Sequence, residues 1–157
     1  MFAVGDRIVY PMHGAGVIEK IEERKILGEI RRYYILHIPY SGMEVMIPVE
    51  SSEQIGIRPI VSEERLSQII ETMRADSTAM PSNWNHRCRE NMSKLKTGEL
   101  ENVAEVVRNL MRVDQEKKLS TGEKKMLANA RQILLSEIML VKNVDQKTAG
   151  DIVREAV

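Results

Sequence analysis

The chain has 157 residues, of which 43% are hydrophobic and 29% are charged, a composition typical of a folded protein and not of a disordered one. Its 23 basic and 23 acidic side chains balance, which argues against a protein that holds nucleic acid by charge alone. Because the sequence shows no signal peptide, no long apolar run and a single cysteine, we expect a cytoplasmic protein without a membrane segment or an internal disulfide.

Residues 1–58 carry the pattern of short β-strands. The segments DRIVY, GVIEKIEE and MEVMIPV alternate apolar and polar residues, and RRYYILHI is rich in aromatic and β-branched residues. Turn signals separate these segments at residues 11–16, 27–29 and 40–42. Four or five strands in so short a segment predict a small antiparallel β barrel of the Tudor or SH3-like kind, a class that serves mostly as a binding platform.

Residues 59–157 change to the period of amphipathic helices and predict an all-α domain of about five helices, so the fold class is α+β in two domains. Ser62 is the predicted N-cap of the first helix, and Ser120 with Glu123 forms a Ser-x-x-Glu capping box. The later helices are predicted from about Asn83 to Lys96, from about Glu99 to Glu116, from Ser120 through Val141, and around Val144 to Ala156.

No catalytic motif is present, since the sequence has no phosphate-binding glycine loop, no nucleophile elbow and no recognisable pair of carboxylates. His86 and Cys88 are separated by one residue, and the other two histidines, His13 and His37, fall in the first half of the chain. This spacing does not make a zinc site. We therefore expect no enzymatic activity, no metal and no cofactor.

Trp84 is the only tryptophan and lies in the segment PSNWNHRCREN at residues 81–91. It is in phase with three later positions of its helix, Cys88, Met92 and Leu95, which favours a core position. It also falls near the first residue of the helix, where a side chain can protrude past the core, among polar and basic neighbours suited to phosphates. The pattern by itself leaves a core residue and an exposed contact residue equally open.

Three segments resemble the CarD/CdnL family of bacterial transcription regulators. They are VGDRIVYPMHGAGVIEKIEE, PSNWNHRCRENMSKLKTGEL and VAEVVRNLMRVDQEKKLSTGEKKMLANARQIL, and the resemblance covers nearly the whole chain. It implies a Tudor-like N-terminal domain that docks on the β subunit of RNA polymerase. It also implies a helical C-terminal domain that touches promoter DNA at the upstream edge of the transcription bubble, without catalytic activity.

The resemblance implies two sets of contact residues. At the surface that contacts polymerase the matching positions are Arg24 and Ile26. Met46 stands where some relatives carry arginine, so we expect this interface to be more apolar or the binding to be weaker. The positions that match the DNA contacts of the family are Trp84, Arg87, Arg89 and Lys124, with His86 as a weaker candidate.

The hypothesis from the sequence is a monomeric, non-enzymatic regulator that stabilises the open promoter complex, with Trp84 as a wedge in the minor groove. Such a protein would be associated with the nucleoid through RNA polymerase. The alternative is an adaptor that binds only proteins, whose helical domain grips a second protein through Trp84, because tryptophan is enriched at interface hot spots. A repair-related role through the same polymerase surface is a weaker third hypothesis.

Overall fold

The computed structural model describes residues 1–157 and places a five-stranded antiparallel sheet before five long helices. The predicted α+β fold class is confirmed. The strands are β1 Arg7–Tyr10, β2 Gly14–Ile26, β3 Glu29–Ile38, β4 Met43–Pro48 and β5 Arg58–Pro59, with a 3₁₀ turn at Val49–Ser51 and a short helix α1 at Ser52–Ile55 between β4 and β5. The strand order in the sheet is β4-β3-β2-β1-β5, so β4 and β5 are the outer strands.

The long β2–β3 hairpin is the main feature of the sheet. Its turn is formed by Leu27 and Gly28, which both have positive φ, as a tight two-residue hairpin turn requires. At the other end of the hairpin a Cβ on Gly16 would lie 2.4 Å from the carbonyl oxygen of His37, so only glycine fits there. The inner face of the sheet buries a cluster that consists mostly of isoleucines and includes Tyr34.

The helical part begins after β5 and follows the predicted periodicity. The side chains of Ser62, Asn83 and Ser120 each accept a hydrogen bond from a backbone N–H of the first turn. The N-caps predicted at Ser62 and Ser120 are therefore confirmed, and Asn83 caps the helix that was predicted to start near it. No helix of the chain is long and apolar enough to cross a membrane. The helices are α2 Glu63–Met73, α3 Trp84–Lys96, α4 Leu100–Glu116, α5 Thr121–Lys142 and α6 Gln146–Ala156.

Helix α5 lies between the sheet and the other helices. It packs against β2 on one side and against α2, α4 and α6 on the other. All six residues from Ile133 to Ile138 are buried, whereas a helix with only one covered face buries about half of its residues. The segment therefore has no solvent side, although Ser136 and Glu137 within it are polar.

Candidate functional site

Trp84 is the first residue of α3, and 47% of its surface is exposed. Its indole Nε1 donates a hydrogen bond to Ser120 Oγ at 3.0 Å, across the start of α5. The ring also lies over Gly122, where a Cβ would come within 3.3 Å of Trp84 Cζ2. Trp84 is thus neither a core residue nor a freely moving one, since one edge of its indole is fixed to α5 and about half of the residue faces solvent.

The hydroxyl of Ser120 is the anchor of this arrangement. It accepts hydrogen bonds from the Trp84 indole and from the backbone N–H of Glu123 at 3.2 Å, and it donates one to Glu123 Oε1 at 3.1 Å. A serine hydroxyl offers one donor and two acceptor positions, so its full capacity is used. The same atom therefore caps α5 and orients the tryptophan.

Arg87 is held by a buried carboxylate beside this anchor. Its Nε and Nη2 donate to the two carboxylate oxygens of Glu123 at 2.9 and 3.0 Å, and Glu123 is 4% exposed. Burial is the largest influence on the pKa of Glu123 and raises it, but the hydrogen bonds from Arg87 and Ser120 together outweigh burial and lower the pKa. The hydrogen bond with Glu123 in turn raises the pKa of Arg87.

The structure therefore brings together Trp84 and Arg87, two of the five candidate residues for DNA contact. The Arg87 guanidinium is mostly buried and joins α3 to α5 through its two hydrogen bonds to Glu123. The sequence pattern identifies Glu123 only as half of a capping box and gives no sign that it pairs with Arg87. The segment LSTGEKKML contains Glu123 together with Ser120 and Gly122, which both contact Trp84.

His86, Arg89 and Lys124 complete the DNA candidates, and their side chains are exposed and make no ion pair. Arg89 lies about 140° around α3 from Trp84, because each residue advances a helix by about 100°. His86 and Arg89 line a shallow depression on that side of the helix with Glu90 and Ser93. Lys124 follows Glu123 in the first turn of α5. None of these three side chains is hydrogen-bonded to the indole, whose N–H donates to Ser120.

The N-termini of α3 and α5 meet at the indole. Both helices begin there with free backbone N–H groups and the positive end of the helix dipole, which favours an approaching anion. The first turn of α3 contains no acidic residue, and the only one in the first turn of α5 is Glu123, which is neutralised by Arg87. The surface around Trp84 is therefore locally positive in a chain of zero net charge.

The three candidate residues for polymerase contact share the outer face of the sheet. Arg24 and Ile26 are two residues apart on β2 and so point to the same side. Met46 pairs with Ile35, which pairs with Lys20, and Lys20 is on the same side of β2 as Arg24. All three side chains are at least partly exposed, and Arg24 donates to Glu22 at 3.0 and 3.1 Å.

Two comparisons with known sequences agree with this architecture. Sequence models of the families described as "CarD-like/TRCF RID domain" and "CarD, C-terminal domain" match residues 2–61 and 68–154. The chain is also 44% identical over 147 residues to the Bacillus subtilis (strain 168) protein named "Putative transcription factor YdeB". The matched region covers 94% of this chain and 96% of that protein.

The fold and the matched models define a two-domain transcription factor with a Tudor-like sheet and a helical domain. The chain belongs to the CarD family, as the resemblance predicts, and is a CarD-like transcription factor that interacts with RNA polymerase. The comparisons do not reach the level of single contact residues, so the two sets of candidates remain predictions.

We predict that Ser120→Ala loosens the indole, whereas Ser62→Ala does not. Each variant loses an N-cap, at a cost of about 1 kcal/mol in the free energy of unfolding. Only Ser120→Ala also removes the acceptor of the Trp84 N–H. Because Trp84 is the sole tryptophan, acrylamide quenching of its fluorescence reports on this ring alone. Quenching should rise in Ser120→Ala, and an equal rise in both variants would contradict the anchor.

We also predict that the Arg87–Glu123 pair makes the protein sensitive to acid. Since folding lowers the pKa of Glu123, the pair contributes stability above the ordinary pKa of 4.5, and this contribution is lost as the pH falls from there through the folded pKa. In Glu123→Gln the free energy of unfolding should be about 1–3 kcal/mol lower at pH 7 and should decline less steeply below pH 4.5.

Glu116→Gln is the control for this pH profile, because it removes an exposed carboxylate without an ion-pair partner. Chemical denaturation at a series of pH values measures all three proteins. The control should follow the wild-type profile, and parallel profiles for wild type and Glu123→Gln would show that the pair does not carry the acid sensitivity.

Proposed function

We propose that this protein is a non-enzymatic, monomeric regulator that docks its sheet on the β subunit of RNA polymerase and stabilises the open promoter complex through Trp84. The observation that carries the proposal is the indole, which is anchored at one edge by Ser120 and is about half exposed. A fixed and half-exposed aromatic ring between two helix N-termini is suited to insertion at the edge of unstacked DNA.

The exposed part of the ring sets the energy that is available for insertion. A whole aromatic side chain buries roughly 150–250 Å². With 47% of Trp84 exposed, roughly 70–120 Å² remains to be covered, worth about 2–3 kcal/mol at about 25 cal/mol per Å². Unstacking a base step costs a few kcal/mol, so insertion into closed duplex has no net gain. Where polymerase has already opened the DNA this cost is absent, and the contact favours the open state.

The anchor also limits what the indole recognises. Its only polar atom already donates to Ser120, so the exposed ring offers an apolar face and no free hydrogen-bond donor. A contact of this kind supports stacking or wedging in the minor groove and does not read base edges. We therefore assign to Trp84 a contact that depends on the state of the DNA more than on its sequence.

Phosphate contacts in this proposal come from Arg89, Lys124 and, more weakly, His86, while Arg87 positions the indole. Two or three phosphate contacts alone give weak binding that is sensitive to salt, on the order of 10⁻⁴ to 10⁻⁶ M. A protein docked on polymerase meets its DNA at an effective concentration that can reach about the millimolar range. The zero net charge of the chain is consistent with such tethered binding.

Docking on polymerase is assigned to the outer face of the sheet with Arg24, Ile26 and Met46. The ion pair of Arg24 with Glu22 is exposed and contributes little to stability, so Arg24 can exchange this partner for a carboxylate of polymerase at low cost. The adjacent edge strand β4 has one unpaired edge that can accept a further strand. Met46 lies on this strand and contributes an apolar contact.

We expect Trp84→Ala to preserve the fold and polymerase binding, because the residue is not part of a buried cluster. The lifetime of the open promoter complex should fall about tenfold, which corresponds to about 1.4 kcal/mol. Competitor-challenge measurements on a defined promoter give this lifetime. An unchanged lifetime would sink the DNA-contact proposal, and failure of promoter DNA to crosslink to the helical domain would favour the adaptor that binds only proteins.

Arg24→Glu and Lys25→Glu test the docking face of the sheet. The two residues are adjacent on β2 and so point to opposite faces, while both variants make the same change in net charge. Arg24→Glu should weaken binding to the β subunit at least about tenfold, or about 1.4 kcal/mol, and Lys25→Glu should not. Titration against immobilised polymerase gives both affinities. Equal loss in both would point to net charge and not to this face.

A further inference from the structure

The junction between the sheet and the helical domain contains a fully buried carboxylate. Glu137 of α5 is 0% exposed and accepts hydrogen bonds from Arg58 Nη1 and Nη2 at 3.0 and 2.8 Å, and from the backbone N–H of Val61 at 2.9 Å. Arg58 also donates from Nε to the carbonyl of Gly98 at 2.9 Å. One carboxylate therefore holds the last strand of the sheet and the start of the segment that leads to α2.

Three further hydrogen bonds join the sheet to the C-terminal half of α5 and to its C-cap. The buried backbone N–H of Ala15 donates to Ser136 Oγ at 2.8 Å. Its neighbour Gly14 has no room for a side chain, because a Cβ there would lie 2.8 Å from the same oxygen. Arg7 of β1 donates to the carbonyl of Leu140 and to Asn143 Oδ1 at the end of the helix.

These contacts lie at the opposite end of α5 from the anchor of Trp84. Glu123 and Glu137 are 14 residues apart, which is about 21 Å along a helix at 1.5 Å per residue. The C-terminal half of α5 thus holds the sheet, and its first turn holds the indole. A continuous helix is stiff over such a length, so the position of the sheet relative to Trp84 is set by the junction.

We propose that Glu137 is a positioning residue, which clamps the sheet to α5 so that docking of the sheet on polymerase brings Trp84 to one place on the DNA. This inference rests on the proposed function. Glu137 contacts neither polymerase nor DNA and acts through Arg58 and Val61. A buried carboxylate with three donors is a costly way to fill a junction, since an apolar side chain can often replace it without loss of stability, whereas its hydrogen bonds define one relative orientation.

The test uses Glu137→Gln in the full-length chain. The glutamine amide keeps the size of the side chain but has only one acceptor oxygen. Its NH₂ group faces a donor of Arg58 or Val61, so at least one hydrogen bond of the junction is lost. Spin labels at Leu27→Cys and Lys125→Cys, both exposed, in a Cys88→Ser background give the distance between the hairpin tip and the start of α5. The expected results are a broader distance distribution and wild-type affinity for polymerase.

The open-complex lifetime separates positioning from mere support of the fold. In Glu137→Gln it should fall toward that of Trp84→Ala, and the double variant should show no further loss, because both changes remove the same contact. Glu155→Gln, an exposed carboxylate on α6, should match wild type in every measurement. The inference would be overturned by an unaltered distance distribution in Glu137→Gln, or by a broader distribution with a wild-type lifetime. Loss of polymerase affinity in Glu137→Gln would also overturn it, as would a double variant whose lifetime falls by the product of the two single losses.

A substitute variant and a second measurement cover two other outcomes. If circular dichroism shows that Glu137→Gln does not fold, Arg7→Gln is measured in the same way, since it breaks a separate and partly exposed contact of the junction. If Trp84→Ala has a wild-type lifetime, the proposed function fails, while the distance distribution of Glu137→Gln still shows whether the clamp fixes the orientation.

Discussion

The enclosure of α5 is the constraint on which the rest of the structure depends. A helix that is covered on both sides cannot shift or rotate without breaking packing on one of them, so α5 is fixed to the sheet and to the helical core at once. Polar groups in the buried stretch 133–138 must be paired. Ser136 accepts a hydrogen bond from Ala15 of β2, and Glu137 accepts from Arg58 of β5 and from Val61 just beyond it. The hydrogen bonds of the junction are therefore a consequence of where α5 lies.

The first turn of α5 repeats this arrangement on a smaller scale. Glu123 is buried, so its carboxylate requires a cation, and the nearest one is Arg87 on the neighbouring helix. Pairing the two fixes the N-terminus of α3 against that of α5. Trp84, one turn before Arg87, then meets Ser120 and Gly122, and Gly122 leaves space for its ring. An exposed aromatic side chain is thereby oriented by a buried ion pair.

Local signals in the sequence were sufficient for most of the fold. The strands follow from alternation, and the starts of α2, α3 and α5 follow from Ser62, Asn83 and Ser120, because a cap involves residues within one turn. The position of Trp84 could not be settled in this way, since periodicity gives its phase on α3 and says nothing about what crosses the helix start. The partners of Glu137 were likewise hidden, because they are 76 and 79 residues away in the chain.

One clue to the enclosure of α5 was present in the sequence. The run ILLSEIMLV has apolar residues on more than one face of a helix, which is expected only where both sides are covered. A serine and a glutamate inside such a run must lie at a buried polar junction. What the pattern could not supply is the identity of the covering surface, which is set by contacts between the two halves of the chain.

Under the proposed function, the junction between α5 and the sheet and the ion pair at the start of α5 together determine how the protein distinguishes stacked from open DNA. Zero net charge leaves little long-range attraction of the whole chain to DNA, and the bond to Ser120 occupies the only polar atom with which the indole could read a base. A rigid junction further limits the tryptophan to the position that polymerase docking allows. What remains variable is whether the DNA at that position is stacked or open. Selectivity then resides in the state of the DNA, and the protein contributes a correctly placed surface.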